Sequence, residues 1–260
     1  MTKTDHWLTT LEARHFSELT FQEVSRSLRA LSVTYVERRD RLREGAALAG
    51  AGKRAAFALF YGPLHYLLVR EIVRAIPEAT DDARGPERAA LRTAPTLIDL
   101  GCGTGAAGAA WAEACHTTPR VLGVDRHPWT LTEAAHTYRE FGLQAQTKRA
   151  DAATVALPKS PALILAAFTV NELSDEGRAA LLPRLLERAP AGDRILIVEP
   201  LAKSAIKWWG RWEEAFKAAG GRADEWRFRV ELPPLVAKLD RAAGLNHREI
   251  TGRTLFLQQA

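Results

Sequence analysis

Residues 96–105 read Thr-Leu-Ile-Asp-Leu-Gly-Cys-Gly-Thr-Gly, and this stretch decides the fold of the 260-residue chain. Its first half is a short apolar run, which predicts a buried strand. Its second half has glycine at alternate positions, which predicts a tight turn. The small apolar run Ala106–Ala112 follows and predicts a helix packed closely on a sheet. A strand, a glycine turn and a helix N-terminus together form a cradle for a nucleotide-like ligand.

The glycines of this turn fit two patterns that bind different ligands. The dinucleotide fingerprint G-x-G-x-x-G/A is met by Gly101, Gly103 and Ala106. A tighter pattern, G-x-G-x-G, is met by Gly101, Gly103 and Gly105. Asp99 bears on the choice, because a carboxylate just before the turn repels a pyrophosphate and suits a ligand with positive charge. The turn therefore favours a cationic nucleoside ligand over a dinucleotide.

Two further acids end the next two predicted strands. The apolar run Val121–Val124 is followed by Asp125, twenty residues after Gly105. A carboxylate at that distance accepts the two ribose hydroxyls of an adenosine, and this acid alone does not separate the two ligand classes. Asp151 closes the following strand within Arg149-Ala150-Asp151-Ala152. We therefore expect three acids at the carboxyl edge of one sheet.

The G-x-G-x-G turn with these three acids closely resembles the donor site of class I S-adenosylmethionine (SAM) methyltransferases. The resemblance implies SAM as the cofactor, a ligand that has no phosphate and carries a sulfonium and an ammonium group. It also implies that Asp151 meets the adenine amino group. The residues expected to bind the donor are Asp99, Gly101, Cys102, Gly103, Gly105, Asp125, Arg126, Asp151, Ala152 and Phe168.

The alternation of apolar and helical stretches predicts an α/β fold with a parallel sheet. The predicted strands are Leu97–Leu100, Val121–Val124, Leu143–Lys148, Ala162–Phe168 and Arg194–Val198. After a predicted helix, Pro234–Ala243, two more strands are predicted at Leu245–Ile250 and Arg253–Gln258. A terminal hairpin of this kind is typical of the seven-stranded, doubly wound, Rossmann-like methyltransferase sheet, in which the last strand is antiparallel, and a dinucleotide dehydrogenase lacks it.

Two regions are predicted to lie outside this sheet. Residues 1–95 form a helical N-terminal extension or cap, with helices at Ser17–Glu44 and Lys53–Ile76, the second broken at Gly62-Pro63. Residues 96–260 form the SAM-binding domain, in which residues 201–233 are a Trp-rich insertion. The resemblance to methyltransferases covers roughly residues 96–200 and 234–260.

Composition excludes several classes of protein. Hydrophobic residues make up 47% and charged residues 26%, as in a globular protein, and no apolar run is long enough to span a bilayer. With two cysteines and no apolar leader, we expect a cytoplasmic protein without a disulfide framework or a metal site. The net charge is +5, and the basic flanks permit an RNA partner, although solvated helix faces explain them equally well.

Aromatic residues are concentrated in two segments that flank the predicted core. Phe57–Tyr66 contains Tyr61 and Tyr66, and four of the seven tryptophans fall within residues 201–233. Trp208 and Trp212 are four residues apart, so a helix would place them on one face. We expect Tyr61, Tyr66, Trp208 and Trp212 to contact the acceptor as two walls over the SAM site. The alternative is that the tryptophans pack this helix onto the core.

The segment after the fourth strand, Phe168–Leu173, is expected to face the methyl donor. Asn171 and Glu172 are its polar residues and are the predicted catalytic pair, with His65 as a second candidate. The alternatives are that Asn171 or Ser174 only caps the next helix, and that His65 is structural. The segment lacks the Asn/Asp-Pro-Pro-Tyr/Phe motif of methyltransferases that act on amino groups of bases.

The sequence therefore predicts a SAM-dependent methyltransferase that acts on an O or N acceptor, either a small molecule or RNA. Phe168–Leu173 and the Val198-Glu199-Pro200 ending of the fifth strand are also weakly similar to methyltransferase-like proteins associated with the small ribosomal subunit. One alternative is accordingly a non-catalytic RNA- or ribosome-binding factor with the SAM fold. The other is a NAD-dependent oxidoreductase.

Overall fold

A computed structural model describes residues 1–37, 48–80, 95–201 and 208–258, with the backbone alone at 34–37. The end of the predicted helix at Glu44 and most of the connection from Pro77 to Pro95 lie outside these residues. The chain divides into two compact units. The first comprises Met1–His65 and Arg229–Ile250, and the second comprises Tyr66–Phe228 and Thr251–Ala260.

Nine helices and seven strands lie within the described residues. The helices are α1 Lys3–His15, α2 Phe21–Glu37, α3 Ala51–Ala56, α4 Gly62–Ala75, α5 Ala106–Ala114, α6 Pro128–Glu140, α7 Asp175–Leu186, α8 Trp209–Ala218 and α9 Pro234–Ala242. The strands are β1 Thr96–Leu100, β2 Arg120–Asp125, β3 Ala145–Arg149, β4 Ala162–Ala167, β5 Arg194–Glu199, β6 Arg222–Phe228 and β7 Ile250–Gln258.

The predicted helix break near Gly62-Pro63 is a π-helical turn, Phe57–Tyr61, between α3 and α4. Gly62 donates its N–H to the carbonyl of Phe57, five residues back, instead of four. Pro63 has no N–H, so it cannot donate the hydrogen bond that an α-helix needs at this position. The π-helical turn lies directly before this position. The helical path therefore continues through the proline.

The second unit contains the seven-stranded sheet, in the order β3-β2-β1-β4-β5-β7-β6. The pairs β1–β2, β1–β4, β2–β3 and β4–β5 are parallel, and β7 is antiparallel to β5. The predicted fold class is confirmed. From β1 the chain proceeds outward to β2 and β3, then returns to β4 on the other side. Ligands of open α/β sheets bind at the carboxyl ends of strands beside such a reversal.

The prediction of a strand at Leu245–Ile250 is wrong, because the sixth strand is β6, within the region predicted as an insertion. Trp226 donates its indole N–H to Thr254 Oγ1 of β7 at 2.9 Å. Leu245 instead donates its N–H to the carbonyl of Asp240, and the cap of α9 extends through it. The helix cap thus uses the backbone groups that a strand would need.

The opposite end of that region packs into the core. Trp212 is buried and stacks on Phe216, with ring centroids 6.3 Å apart and an interplanar angle of 15°. Both rings join a cluster that includes Ile195 and Ile197 of β5 and Leu255 of β7. Helix α8 therefore covers one face of the sheet, which supports the packing interpretation of Trp212.

Candidate functional site

The glycine turn after β1 has the backbone conformation that the sequence predicts. Gly101, Gly103 and Gly105 have φ angles of 66°, 52° and 75°, a region that L side chains rarely adopt. Gly105 donates its N–H to Cys102 O at 2.7 Å, which closes the turn. Cys102 is buried, and burial raises the pKa of its thiol, so the thiol is protonated at neutral pH. This residue therefore serves as a small packing group in the turn.

Thr169 holds the turn in place and was not found by sequence reasoning. Its Oγ1 lies 3.0 Å from Leu100 O and 3.2 Å from Gly101 O. A Cβ on Gly101 would come within 2.4 Å of two Thr169 side-chain atoms. The preceding residue, Phe168, has a φ of 58° and is the non-glycine residue with positive φ in the described chain. The turn after β4 is therefore fitted closely to the turn after β1.

Asp99 lies beneath the turn and contacts protein groups. Tyr138 donates its hydroxyl to Asp99 Oδ2 at 2.9 Å, and the Gly108 N–H of α5 is a second donor. Burial raises the pKa of Asp99 to about 7 despite these bonds. A Cβ on Gly108 would lie 2.4 Å from Asp99 Oδ2, so this glycine makes room for the carboxyl.

Asp125 bridges the glycine turn and the loop after β2. Its Oδ2 accepts the N–H of Gly103 at 3.0 Å, and its Oδ1 accepts the N–H of His127 at 2.9 Å. Each carboxylate oxygen has a further lone pair for a ligand hydroxyl. Asp125 therefore orders the turn and retains acceptor capacity for a ligand.

Asp151 lies at the neighbouring strand end. Its Oδ1 accepts the N–H of Ala153 at 2.8 Å, and its Oδ2 lies 3.8 Å from Arg126 Nη1. The neighbouring Ala152 is buried, the Asp151 side chain is partly exposed and the Arg126 side chain is exposed. Arg126 and Asp151 thus lie at the outer rim of the predicted adenine site.

Glu172 is half-buried, in a short 3-10 turn that runs from Val170 to Glu172. Desolvation by the surrounding protein and, to a smaller extent, the charge of Asp125 raise the pKa of Glu172 to about 7, whereas Arg126 opposes the shift. The same Asp125 charge also raises the pKa of Asp99. Electrostatic coupling of this kind requires short distances. Carboxyl groups from three strand ends therefore share one edge of the sheet.

A fourth carboxyl, Glu199 at the end of β5, was not predicted as a site residue. Its Oε1 accepts the backbone N–H of Asn171 at 3.0 Å. Burial raises the pKa of Glu199 to about 8, and the nearby Glu172 adds to the shift. The signal in the sequence was a glutamate that ends an apolar strand. Asn171 is held here by its backbone, and Ser174 caps α7 instead.

His65 and Tyr61 both belong to the first unit. Burial lowers the pKa of His65 to about 3 and raises that of Tyr61 to about 12. The rings of Phe57 and His65 meet edge to face at 6.1 Å. The imidazole is therefore neutral at physiological pH and packed among aromatic rings.

The remaining predicted substrate residues lie in the second unit. Tyr66 donates its hydroxyl to Glu113 of α5 and packs 5.2 Å from the Phe141 ring, on the helices and not at the strand ends. Trp208 packs edge to face on Trp212 at 5.1 Å. Its indole Nε1 is buried and has no hydrogen-bond partner among the described residues. Trp208 thus has a donor that no described residue uses, whereas Trp212 is a core residue.

The described part of the chain has neither a metal-binding cluster nor a membrane-spanning helix. Within residues 1–37, 48–80, 95–201 and 208–258, no group of three or more His, Cys, Asp or Glu side chains is arranged to hold a metal ion. No helix in those same ranges has the length and hydropathy needed to cross a membrane.

The family of this site follows from comparison with known proteins. Residues 97–189, from β1 to the turn before β5, match a family model described as a methyltransferase domain. The matched residues contain the glycine turn, Asp125, Asp151 and Glu172. By this match, residues 97–189 have the sequence of a methyltransferase domain. The sheet order and the antiparallel β7 agree with this assignment. No curated protein matches the sequence of the chain.

Solved structures of methyltransferases are similar to this chain in fold. Magnesium protoporphyrin IX methyltransferase from Synechocystis PCC 6803, with bound SAM, is 12% identical and has a TM-score of 0.46, covering 89% of this chain and 97% of that one. A TehB-like SAM-dependent methyltransferase from Corynebacterium glutamicum is 20% identical with a TM-score of 0.42, covering 76% of this chain and 100% of that one. Likenesses this distant carry no argument about the acceptor.

Proposed function

We propose that this chain transfers the methyl group of SAM to an oxygen or nitrogen atom of an acceptor, which is a small molecule or RNA. The observation that carries the proposal is the group of coupled carboxyls at the strand ends: Asp99, Asp125 and Glu172. Negative charge at this edge attracts a ligand with a sulfonium and an ammonium group, and it repels a pyrophosphate. This charge opposes the alternative of a NAD-dependent oxidoreductase.

The residues around the glycine turn fit SAM. Gly101 and Gly103 have positive φ angles, so the backbone of the turn can curve closely around a ligand. The free lone pairs of Asp125 would accept hydrogen bonds from the ribose hydroxyls, and Asp151 would accept a hydrogen bond from the adenine amino group. When bound, SAM supplies an electrophilic methyl group. The turn and these two acids would hold the adenosine of the bound donor, and Phe168 would line the same site.

The acceptor side of the site is assigned to Asn171 and Glu172. Methyl transfer requires in-line alignment of the nucleophile with the methyl group, and holding that alignment is the main task of the protein. The ionised form of Glu172 accepts a proton from an acceptor O–H or N–H at its carboxylate oxygen. With its pKa raised to about 7, Glu172 has the proton affinity that suits a base near neutral pH.

Calorimetry tests the choice of ligand. We expect SAM and S-adenosylhomocysteine to bind in the micromolar range, about −8 kcal/mol, and NADH to show no binding. The expectation rests on the acids at the strand ends. They tolerate the sulfonium of SAM and the neutral thioether of S-adenosylhomocysteine, and they repel the pyrophosphate of NADH. Clear NADH binding without SAM binding would refute the proposed function.

The charge of Glu172 predicts how the preference for SAM over S-adenosylhomocysteine depends on pH. SAM carries a sulfonium charge that the homocysteine product lacks, so an ionised Glu172 stabilises only the former. Because the pKa of Glu172 is raised to about 7, its carboxylate is present above that pH and lost as the pH falls through it. We expect the ratio of the two affinities to rise about threefold or more from pH 6 to pH 8.

The matched variant for this measurement is Glu172→Gln, which keeps the side-chain size and removes the charge. In this variant we expect the affinity ratio to be the same at pH 6 and pH 8. The exposed Glu214→Gln on α8 serves as the control, and its ratio should follow the wild type. If the ratio rises equally in Glu172→Gln and the wild type, Glu172 does not face the sulfonium.

A further inference from the structure

Glu199 and Arg253 form a cross-strand pair at the carboxyl end of β5. They are direct partners in the antiparallel register of β5 and β7. Both continue the face that carries Ile197 and Leu255, since side chains two residues apart share a face. Their exposed fractions are 0% and 7%, so both charged groups are removed from water.

Several polar atoms of this pair have no hydrogen-bond partner within residues 1–37, 48–80, 95–201 and 208–258. Glu199 Oε1 binds the Asn171 N–H, but Glu199 Oε2 has no hydrogen-bond partner among the described residues. Arg253 Nε and Nη2 are likewise buried and unpartnered in the described part of the chain. The two residues influence each other electrostatically, yet their free atoms are not within hydrogen-bonding distance. Buried polar groups left in this state are costly, so a missing ligand is the natural explanation.

The free atoms of Arg253 define the shape of that ligand. Nε and Nη2 are on one edge of the guanidinium, and their N–H groups point in parallel. This edge matches the two oxygens of a carboxylate. The guanidinium lies 4.1 Å from the centroid of the Trp209 ring, which fixes its plane. The fork is therefore held in position before a ligand arrives.

We propose that this edge of Arg253, with Glu199 opposite, is a subsite for a carboxylate group of a small-molecule methyl acceptor. This inference rests on the proposed function and names the substrate class of the same site. Glu199 also binds the backbone of Asn171, in the turn that faces the methyl donor, so the subsite adjoins the acceptor position. The low exposure of both side chains favours a compact carboxylate over the phosphodiester of an RNA chain.

The charge on Glu199 agrees with an anionic ligand. Burial raises the pKa of Glu199 to about 8, so at neutral pH its carboxyl is protonated and its O–H is a donor. The charged groups facing Glu199 are Glu172 of the 3-10 turn and Arg253 of β7. Those facing Arg253 in addition are Glu213 of α8 and Glu225 of β6. Carboxylate binding is therefore expected below pH 8 and lost as the pH rises through it.

Nuclear magnetic resonance on the protein saturated with S-adenosylhomocysteine tests the subsite with benzoate as the probe. The Arg253 Nε–H signal is assigned by its loss in Arg253→Lys. We expect benzoate to shift this signal with a dissociation constant on the order of 1 mM, and the neutral benzamide to leave it in place. Arg253→Lys keeps the charge but loses the fork, and benzoate affinity, followed through the Trp208 indole signal, should fall about tenfold.

The controls separate this subsite from general charge effects. Arg227→Lys, at an exposed position of β6, should bind benzoate as the wild type does. Glu199→Gln should keep benzoate binding and lose its decline between pH 7 and pH 9. The inference is overturned if benzoate leaves the Arg253 signal unmoved, if benzamide or phenyl phosphate binds more tightly, or if a crystal structure shows Glu199 and Arg253 directly paired. Failure of S-adenosylhomocysteine to bind the same sample would instead refute the proposed function.

Discussion

Asp125→Ala is expected to weaken the binding of S-adenosylhomocysteine about 100-fold or more. Two ribose hydroxyls lose a charged acceptor, and each such hydrogen bond contributes about 1.5–3 kcal/mol. The same change removes the acceptor of the Gly103 N–H, at 3.0 Å, and of the His127 N–H, at 2.9 Å. The glycine turn therefore loses order at the same time as the ligand loses its contacts. Calorimetry measures the affinity, and circular dichroism shows whether the fold is intact.

Two further variants sharpen this test. Asp125→Asn keeps one acceptor oxygen, so we expect it to lose less affinity for S-adenosylhomocysteine than the alanine variant does. Asp224→Ala removes an acid that pairs with Arg222 on β6, and it should bind within about twofold of the wild type. Wild-type affinity in a correctly folded Asp125→Ala would show that this acid does not hold the ribose.

Gly101→Ala is expected to lower the free energy of unfolding by roughly 2–5 kcal/mol. The alanine would have to adopt a φ of 66°, which costs about 1–2 kcal/mol for an L residue. Its Cβ would also lie 2.4 Å from Thr169 Cγ2 and Oγ1. Thr169 is buried and β-branched, so it moves only at a further cost of about 1–3 kcal/mol. Urea denaturation measures the change.

Gly142→Ala is the matched control for this substitution. Gly142 has a φ of 70°, but no atom lies within 4 Å of the Cβ that would be added. Its variant pays for the backbone conformation alone, about 1–2 kcal/mol. The difference between the two variants isolates the contact with Thr169. Equal losses in the two variants would mean that Thr169 yields freely and does not hold the turn.

Much of the donor site could be predicted from the sequence, because its signals are local. A strand, three glycines and a helix lie consecutively in residues 96–112, and the spacing of Asp125 and Asp151 follows from the strand–helix alternation. The turn conformation of Gly101, Gly103 and Gly105 requires residues without a Cβ, so glycine at those positions was sufficient to predict it.

The sequence was misleading where short apolar runs compete for one role. Leu245–Ile250 and Arg222–Phe228 both contain alternating residues, and only one of them forms the sixth strand. Residues 222–228 form the sixth strand, and the Trp226 side chain donates a hydrogen bond to Thr254 of β7. The N–H of Leu245 is instead used in the cap of α9. Both hydrogen bonds involve partners that a local pattern does not reveal.

The glycine turn, the acids at three strand ends and the class of sheet all follow from local sequence patterns. The packing of Thr169 under Gly101 and the pairing of Glu199 with Arg253 depend on the tertiary fold. The two groups of features differ in the range of the interactions that produce them. Turn conformation and strand period depend on neighbours along the chain, whereas the burial and pKa of Glu199 depend on strands β5 and β7 meeting in register.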